Sequence, residues 1–167
     1  SGYTLPVFAA ASALAALQHL RQNQVSSALE GDQEGVTLNL LEPPEKVTIP
    51  VEQVAQLTET TALAITRSDP GDNLDLTRNT PVWARVELKK AQLEDDNPVI
   101  LQGGEGIGKL VNQNQKAAIY RYATRLITEN LLPLIQSGEQ AIVTLILPEG
   151  RKLATRTSNS AFGVVEG

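Results

Sequence analysis

The sequence predicts a single α+β domain in which a mixed or antiparallel sheet packs against two main helices. The order of patterns along the chain supports this fold class: an apolar helical segment comes first, several short β-type segments follow, and a helix and a strand close the series. This order differs from the repeated strand–helix–strand units of doubly wound folds. The length of 167 residues and the hydrophobic content of 41% are those of one globular domain with its own core.

The first segment predicts a helix from Thr4 to about Gln22. Thr4 is a good N-cap residue, Pro6 suits the first turn of a helix, and alanine fills the body. The small residues at 9–13 allow another element to approach the helix closely. Polar and glycine-containing residues from Asn23 to Gly35 then predict a surface connection.

The clearest predicted strand is Val82–Leu88, where apolar and polar residues alternate strictly. Val82, Ala84, Val86 and Leu88 are expected on one face, opposite Trp83, Arg85 and Glu87. Further strands are predicted at Val36–Leu41, Val47–Val51, Thr61–Thr66, Pro98–Leu101 and Ala141–Leu147. The second helix is predicted over 115–136, and Pro133 is expected to weaken its last turn.

Charge and composition exclude several functions. The chain carries 14 Lys and Arg against 19 Asp and Glu, a net charge of −5, and has no basic cluster. Counterion release on nucleic acids or anionic membranes needs such a cluster, so neither is an expected partner. With no Cys and with His19 as the single histidine, no thiolate or multi-histidine metal site is expected, and His19 is expected to be structural or on the surface. No apolar run is long enough to span a membrane, and the expected compartment is the cytoplasm.

A glycine-rich segment is the first candidate for a binding site. It comprises Gly103, Gly104, Glu105, Gly106, Ile107 and Gly108, followed by Lys109. The spacing is that of a phosphate-binding loop, whose backbone N–H groups hold an anion, but Leu110 stands where a hydroxyl would bind Mg²⁺. Three interpretations remain open: a nucleotide-binding loop, a backbone platform for another ligand, and a tight turn.

A run of carboxylates directly after a predicted strand is the second candidate. Asp69, Asp72 and Asp75 are spaced by three residues, and Arg67 and Arg78 flank them. Carboxylates in such a loop can hold a metal, position an arginine or act as a general base. Turn formation and capping by Asp explain the same residues without a function, so both interpretations stay open.

Four segments together resemble one family. They are Gly2-Tyr3-Thr4 with Ala9–Ala11, the acidic segment from Asp69 to Thr77, the glycine-rich Gly103–Gly108, and Thr157-Ser-Asn159 with Gly163-Val-Val. In this order, over nearly the whole chain, they are similar to motifs of the S-adenosylmethionine-dependent cobalt-precorrin-5B C(1)-methyltransferases of the anaerobic cobalamin pathway. Leu5-Pro-Val-Phe8 and Ser160-Ala161 depart from the family pattern, which has Thr hydroxyls and an arginine at these places.

The resemblance implies one part of a larger enzyme. Members of the family are much longer, and a second, α/β domain follows the part that is similar to this chain. We therefore expect an N-terminal domain at 1–154, a tail or linker at 155–167, and the C-terminal domain of the same enzyme as a partner. The isolated domain is not expected to turn over, and a homo-oligomer is left open.

The resemblance also implies a reaction and a site. A methyl group passes from S-adenosylmethionine to C-1 of a cobalt-containing tetrapyrrole, so cobalt arrives within the substrate and no protein metal site is expected. Asp69, Asp72 and Asp75 are then the candidate catalytic carboxylates. The candidate substrate-binding residues are Thr4, Arg67, Thr77, Arg78, Gly103, Gly104, Glu105, Gly106, Gly108, Lys109 and Asn159. The alternative left open is a non-catalytic anion- or nucleotide-binding domain that uses Gly103–Gly108.

Overall fold

The computed structural model describes residues 3–25, 35–41, 43–69, 79–93, 96–104 and 113–149, with the backbone alone at 23–25 and 113–120. In chain order the elements are the helix α1 (Leu5–Val25), the strands β1 (Gly35–Asn39), β2 (Lys46–Pro50), β3 (Gln53–Thr58), β4 (Thr61–Arg67), β5 (Pro81–Lys90) and β6 (Val99–Gly103), the helix α2 (Gln113–Leu131), a 3₁₀ turn (Leu132–Leu134) and the strand β7 (Glu139–Ile146). The predicted α+β fold class with two main helices is confirmed.

Five of the strands form one mixed sheet in the order β3-β4-β5-β7-β6. Neighbouring strands are antiparallel except β6 and β7, which are parallel. Parallel neighbours need a long crossover connection, and α2 lies in the segment that joins β6 to β7. β1 and β2 form a separate antiparallel pair.

The two faces of the large sheet differ in burial. In β5, Val82, Ala84, Val86 and Leu88 are buried, whereas Trp83, Arg85 and Glu87 are half-buried, as the alternation of the sequence predicts. Helix α1 contacts β4 and β5, and α2 packs on α1 and reaches β6. We call the face that carries the buried residues of β5 the inner face and the opposite one the outer face.

Helix α1 is buried on almost all of its sides. Ala9, Ala10, Ala11 and Ala13 have no exposed surface, because α1 touches the sheet, α2 and β1. A helix that is apolar all round belongs in a core. The prediction that the small residues at 9–13 permit a close approach is confirmed.

Two buried hydroxyls attach α1 to the sheet. The Oγ of Ser12 donates to the carbonyl of Val82 at 2.9 Å, and the Oγ1 of Thr66 donates to the carbonyl of Phe8 at 2.9 Å. The two hydroxyl oxygens also lie 2.9 Å from each other. Each hydroxyl has one proton, so the two protons serve three contacts. This contact fixes the first half of α1 against the last residues of β4.

Several boundaries differ from the sequence prediction. The predicted strands lie within about two residues of β1, β2, β4, β5, β6 and β7, but β3 has no counterpart among them. Its polar residues break the alternation, and backbone pairing with β4 holds it at the edge of the sheet. Helix α2 ends at Leu131, and the chain continues through Pro133 as a 3₁₀ turn, which confirms the weak last turn. Residues 26–34 of the predicted connection and the tail at 155–167 lie outside the described residues.

Candidate functional site

Arg67 ends β4 and points its side chain out of the core. Its guanidinium forms an ion pair with Glu52, and its Nη1 donates to the carbonyl of Asn79 at 3.1 Å. Both partners of the ion pair are exposed by about two-fifths. Arg67 therefore joins the residue before β3 to the segment that leads into β5, and its charge is already compensated.

The segments on either side of the acidic loop are held together by a short backbone ladder. The N–H of Ser68 donates to the carbonyl of Thr80 at 2.9 Å, and the N–H of Thr80 donates to the Oγ of Ser68 at 3.0 Å. Asn79 closes the ladder with its N–H on the carbonyl of Ser68, at 2.7 Å. Its φ of 61° lies in the left-handed region that Asn tolerates better than most residues. Asp69 thus projects from a fixed base, which we call the neck, formed by Ser68, Asn79 and Thr80.

A cleft of about 540 Å³ opens beside the neck. Its walls come from α1, the connection between β2 and β3, and the neck itself. The lining residues are Phe8, Pro50, Val51, Glu52, Arg67, Ser68, Asp69 and Asn79. The cleft combines apolar side chains with two carboxylates and one arginine, and its volume lies in the range of small-molecule sites.

His19 lines a second, smaller cleft of about 260 Å³. Gln18 and Gln22 of α1 share its wall, and Val51 and Glu52 line both clefts. His19 is half-buried there, two turns or more along α1 from Phe8. This position agrees with a structural or surface role for the histidine.

Gly103 and Gly104 lie where β6 ends against β7. Gly103 is paired with Leu145, and the N–H of Gly104 donates to the carbonyl of Leu145 at 2.7 Å. A Cβ on Gly104 would stand 2.9 Å from the Cγ1 of Ile146 and 3.0 Å from the carbonyl oxygen of Leu145. Glycine is therefore required here by close packing, and its N–H belongs to the sheet. Neither of the two described glycines of this segment, Gly103 and Gly104, forms part of an anion-binding loop in the structure.

The two candidate loops leave the sheet at the same end. β4, β6 and β7 run in the same direction, since β5 is antiparallel to β4 and β7 while β6 is parallel to β7. The acidic loop follows β4, and the glycine-rich segment follows β6. Three strand spacings, about 14 Å, separate β4 from β6. We call this end of the sheet, marked by Arg67, Gly103 and Ile146, the loop end.

The beginning of α1 lies at the loop end as well. Phe8 lines the cleft beside the neck, and Arg21, near the other end of α1, binds Glu139 at the start of β7 and the carbonyl of Leu134. The helix thus runs away from the loop end. Thr4 is exposed one turn before Phe8, on the side of the cleft.

The structure therefore places five of the predicted site residues at one end of the sheet. These are Thr4, Arg67, Asp69, Gly103 and Gly104. The remaining ones lie outside the described residues: Asp72, Asp75, Thr77, Arg78, Glu105, Gly106, Gly108, Lys109 and Asn159. Their roles, and the nucleotide-binding alternative that depends on Lys109, stay predictions.

Sequence reasoning missed Glu52, Phe8 and Asn79. Glu52 becomes the partner of Arg67 through the antiparallel pairing of β3 with β4, which brings together residues 15 positions apart. Asn79 carries one recognisable signal, since Asn is enriched at left-handed turn positions. Phe8 sits in a segment whose apolar character predicts a core residue, and it also forms the floor of the cleft.

The described part of the chain has neither a metal-binding cluster nor a membrane-spanning helix. No three side chains of His, Asp or Glu come together there in a way that could hold a metal ion. Neither helix, over its described residues, is long and apolar enough to cross a membrane.

The fold and the loop end define the class of the molecule: an α+β domain in which the strands that lead into the acidic and glycine-rich segments end on the same side of a mixed sheet as the start of a buried helix. The chain belongs to the CbiD family, whose family model matches residues 1–167. The family predicted from the four sequence motifs is thereby confirmed.

Curated relatives carry one name. The proteins from Cyanothece sp., Trichormus variabilis and Gloeobacter violaceus are 57%, 59% and 52% identical to this chain over its whole length, and each is named cobalt-precorrin-5B C(1)-methyltransferase. The chain spans 42–44% of the length of these relatives and matches their N-terminal part. No solved structure gives a significant match.

Proposed function

We propose that this chain forms the N-terminal part of a cobalt-precorrin-5B C(1)-methyltransferase that works in cobalamin biosynthesis. The observation that carries the proposal is the identity of more than half of all residues to relatives of that name, over the whole of this chain. The relatives are longer than the chain, so the activity is assigned to the full-length protein that contains it.

The loop end is the proposed reaction site within this domain. The base of the acidic loop, the start of the glycine-rich segment and the exposed Thr4 all lie at this end of the sheet. In an enzyme with two organic substrates, residues from several loops must meet to align the reacting atoms. One sheet holds the residues from which these loops leave in fixed positions, and this supports the assignment.

The chemistry needs alignment and proton handling from the protein. S-Adenosylmethionine supplies an electrophilic methyl group, whose bonding electron pair leaves with the sulfur when the new bond to C-1 forms. Asp69, Asp72 and Asp75 are the proposed carboxylates that accept a proton from the macrocycle or hold one of its polar groups. Cobalt is part of the tetrapyrrole substrate in this scheme.

The cleft beside the neck fits the methyl donor better than the macrocycle. Glu52 and Asp69 bring two carboxylates, and Arg67, the arginine among the described lining residues, already pairs with Glu52. Carboxylates suit ribose hydroxyls and a cationic sulfonium, and Phe8 with Val51 offers apolar surface for an adenine ring. A polycarboxylate substrate would meet repulsion in the same place, and it gains Arg67 only if the ion pair with Glu52 opens.

The direct test is methyl transfer by the full-length protein. The protein is incubated with cobalt-precorrin-5B and S-adenosylmethionine that carries a labelled methyl group, and products are resolved by mass spectrometry. We expect one labelled methyl on the macrocycle for each S-adenosylhomocysteine formed. Absence of the label from the macrocycle, with intact substrate recovered, would overturn the proposed function.

A further inference from the structure

The outer face of the large sheet carries an apolar surface that neither described helix covers. Six large side chains project from it, contributed by four neighbouring strands. They are Leu63 and Ile65 of β4, Trp83 of β5, Ile142 and Ile146 of β7, and Ile100 of β6. Each is half-buried, and pairing places Ile65, Trp83 and Ile146 in one row across three strands.

This composition is unusual for a sheet with one face open to water. An antiparallel sheet of that kind normally alternates apolar residues inward with polar residues outward. Here both faces are apolar, and none of the six residues belongs to the core cluster or packs against it. The helices α1 and α2 lie on the inner side, so nothing in the described part of the chain explains these side chains.

Two charges sit within the same face. Arg85 and Glu87 are half-buried on β5: Arg85 lies between the row of Trp83 and that of Ile142, and Glu87 is paired with Ile142. Within the described residues, the side chain of neither one forms a hydrogen bond or an ion pair. Half-buried charges among apolar side chains fix the orientation in which a partner docks, because the partner must place complementary charges opposite them.

The size of the surface points to a polypeptide as its occupant. The apolar residues extend across four strands, which together span about 14 Å, and along several residues of each strand. The relatives provide a source for such a polypeptide, since more than half of their length lies outside the region that matches this chain.

We propose that the outer face is the surface on which the C-terminal part of the full-length methyltransferase packs. This rests on the proposed function, because the relatives of that name supply the additional length. The sheet then lies between α1 with α2 on one side and the C-terminal part on the other. The loop end, at the rim of this interface, faces both parts of the enzyme, so a substrate bound there can be reached from either.

Site-specific thiol labelling tests the interface without any need for turnover. The 167 residues contain no cysteine, so a single introduced thiol reports on one place. Leu63→Cys on β4 and Ile142→Cys on β7 probe the outer face on the two sides of β5. Thr48→Cys on the exposed side of β2 is the matched control. Rates of alkylation at each thiol are measured by peptide mass spectrometry in this chain, which has its own core, and in the full-length protein.

We expect both outer-face thiols to react about tenfold or more slowly in the full-length protein than in this chain, while the Thr48→Cys thiol stays within about threefold. Equal rates at the outer-face thiols in the two proteins would overturn the interface. Protection that grows with the concentration of this chain would assign the face to a second copy, and protection that needs added cobalt-precorrin would assign it to the substrate. Either result contradicts the proposal, and neither depends on whether methyl transfer is observed.

Discussion

The hydroxyl oxygens of Ser12 and Thr66 lie 2.9 Å apart in the fully buried contact between α1 and β4. Thr66 directly precedes Arg67, and Ser12 lies one turn beyond Phe8, so the pair connects two walls of the cleft. This polar contact inside the core thus fixes the position of Thr66 against α1. It thereby also fixes the cleft residues Arg67 and Phe8 relative to each other.

Removal of the Thr66 hydroxyl should therefore weaken the domain as a whole. Thr66→Val keeps the shape of the side chain but removes the hydroxyl that donates to the carbonyl of Phe8 and lies beside the Ser12 hydroxyl, which should lower the free energy of unfolding by about 1 kcal/mol. Urea unfolding followed by circular dichroism measures this change. Thr37→Val is the control, because the Thr37 hydroxyl contacts Thr48 on an exposed surface, and its cost should stay below about 0.5 kcal/mol. Equal losses for the two variants would contradict the role of the buried contact.

Gly104 should prove to be a packing residue. Gly104→Ala puts a methyl group 2.9 Å from Ile146 Cγ1 and 3.0 Å from a backbone oxygen, and the strain should cost about 1–3 kcal/mol of stability. The double variant Gly104→Ala with Ile146→Ala removes one of these collisions, so the two effects should be less than additive in a thermodynamic cycle. Unchanged stability of the single variant in urea unfolding would show that the glycine is not needed for the fit of β6 against β7.

Asn130 should contribute more to stability than the exposed Glu129 beside it on α2. Its buried amide accepts from the N–H of Asn39 at 2.8 Å and donates to the carbonyls of Asn39 and Leu126 at 3.0 and 2.8 Å. Asn130→Ala should cost about 2 kcal/mol or more, because β1 loses its attachment to α2. The exposed Glu129 gives the control variant Glu129→Ala, which should change stability by less than about 0.5 kcal/mol in the same unfolding assay.

Local patterns were enough to predict the elements that a single periodicity defines. The alternation in β5 predicted both faces of that strand, and the small residues of α1 predicted its burial. β3 has no such pattern, since its place depends on an edge that β4 offers. The pairing of Arg67 with Glu52 depends likewise on the register of β3 against β4, which neither residue specifies.

The candidate site was only partly predictable for the same reason. The glycines of the segment after β6 are visible in the sequence, but the collision that excludes a Cβ at Gly104 involves Ile146, more than 40 residues further along the chain. The shared end of the acidic and glycine-rich loops follows from the order β4-β5-β7-β6, which spacing along the chain does not reveal.

The assignment of the cleft to the methyl donor predicts that this domain binds S-adenosylhomocysteine in an isothermal titration. Val51→Phe should fill the cleft and weaken binding about tenfold or more, since a bulky ring occupies the space of the ligand. Val54→Phe is a matched control, because Val54 is also half-buried but lines the second cleft and not the cleft beside the neck. Circular dichroism verifies that both variants fold. Equal affinities for the two variants would move the donor away from this cleft.

We propose that methyl transfer takes place at the loop end with the help of the acidic loop. The most direct test is the steady-state rate of the full-length protein with Asp69→Asn, Asp72→Asn, Asp75→Asn and all three together, beside Glu129→Gln on exposed α2. We expect the triple variant, and at least one single variant, to lose about 10²-fold or more in kcat, because a carboxylate that handles a proton contributes on that scale. The KM for cobalt-precorrin-5B should stay within about threefold of that of the unmodified protein, whereas the KM for S-adenosylmethionine should rise in the variants that lack the Asp69 carboxylate, which lines the donor cleft. A triple variant that keeps kcat within about twofold would contradict the assignment of the reaction to this end of the sheet.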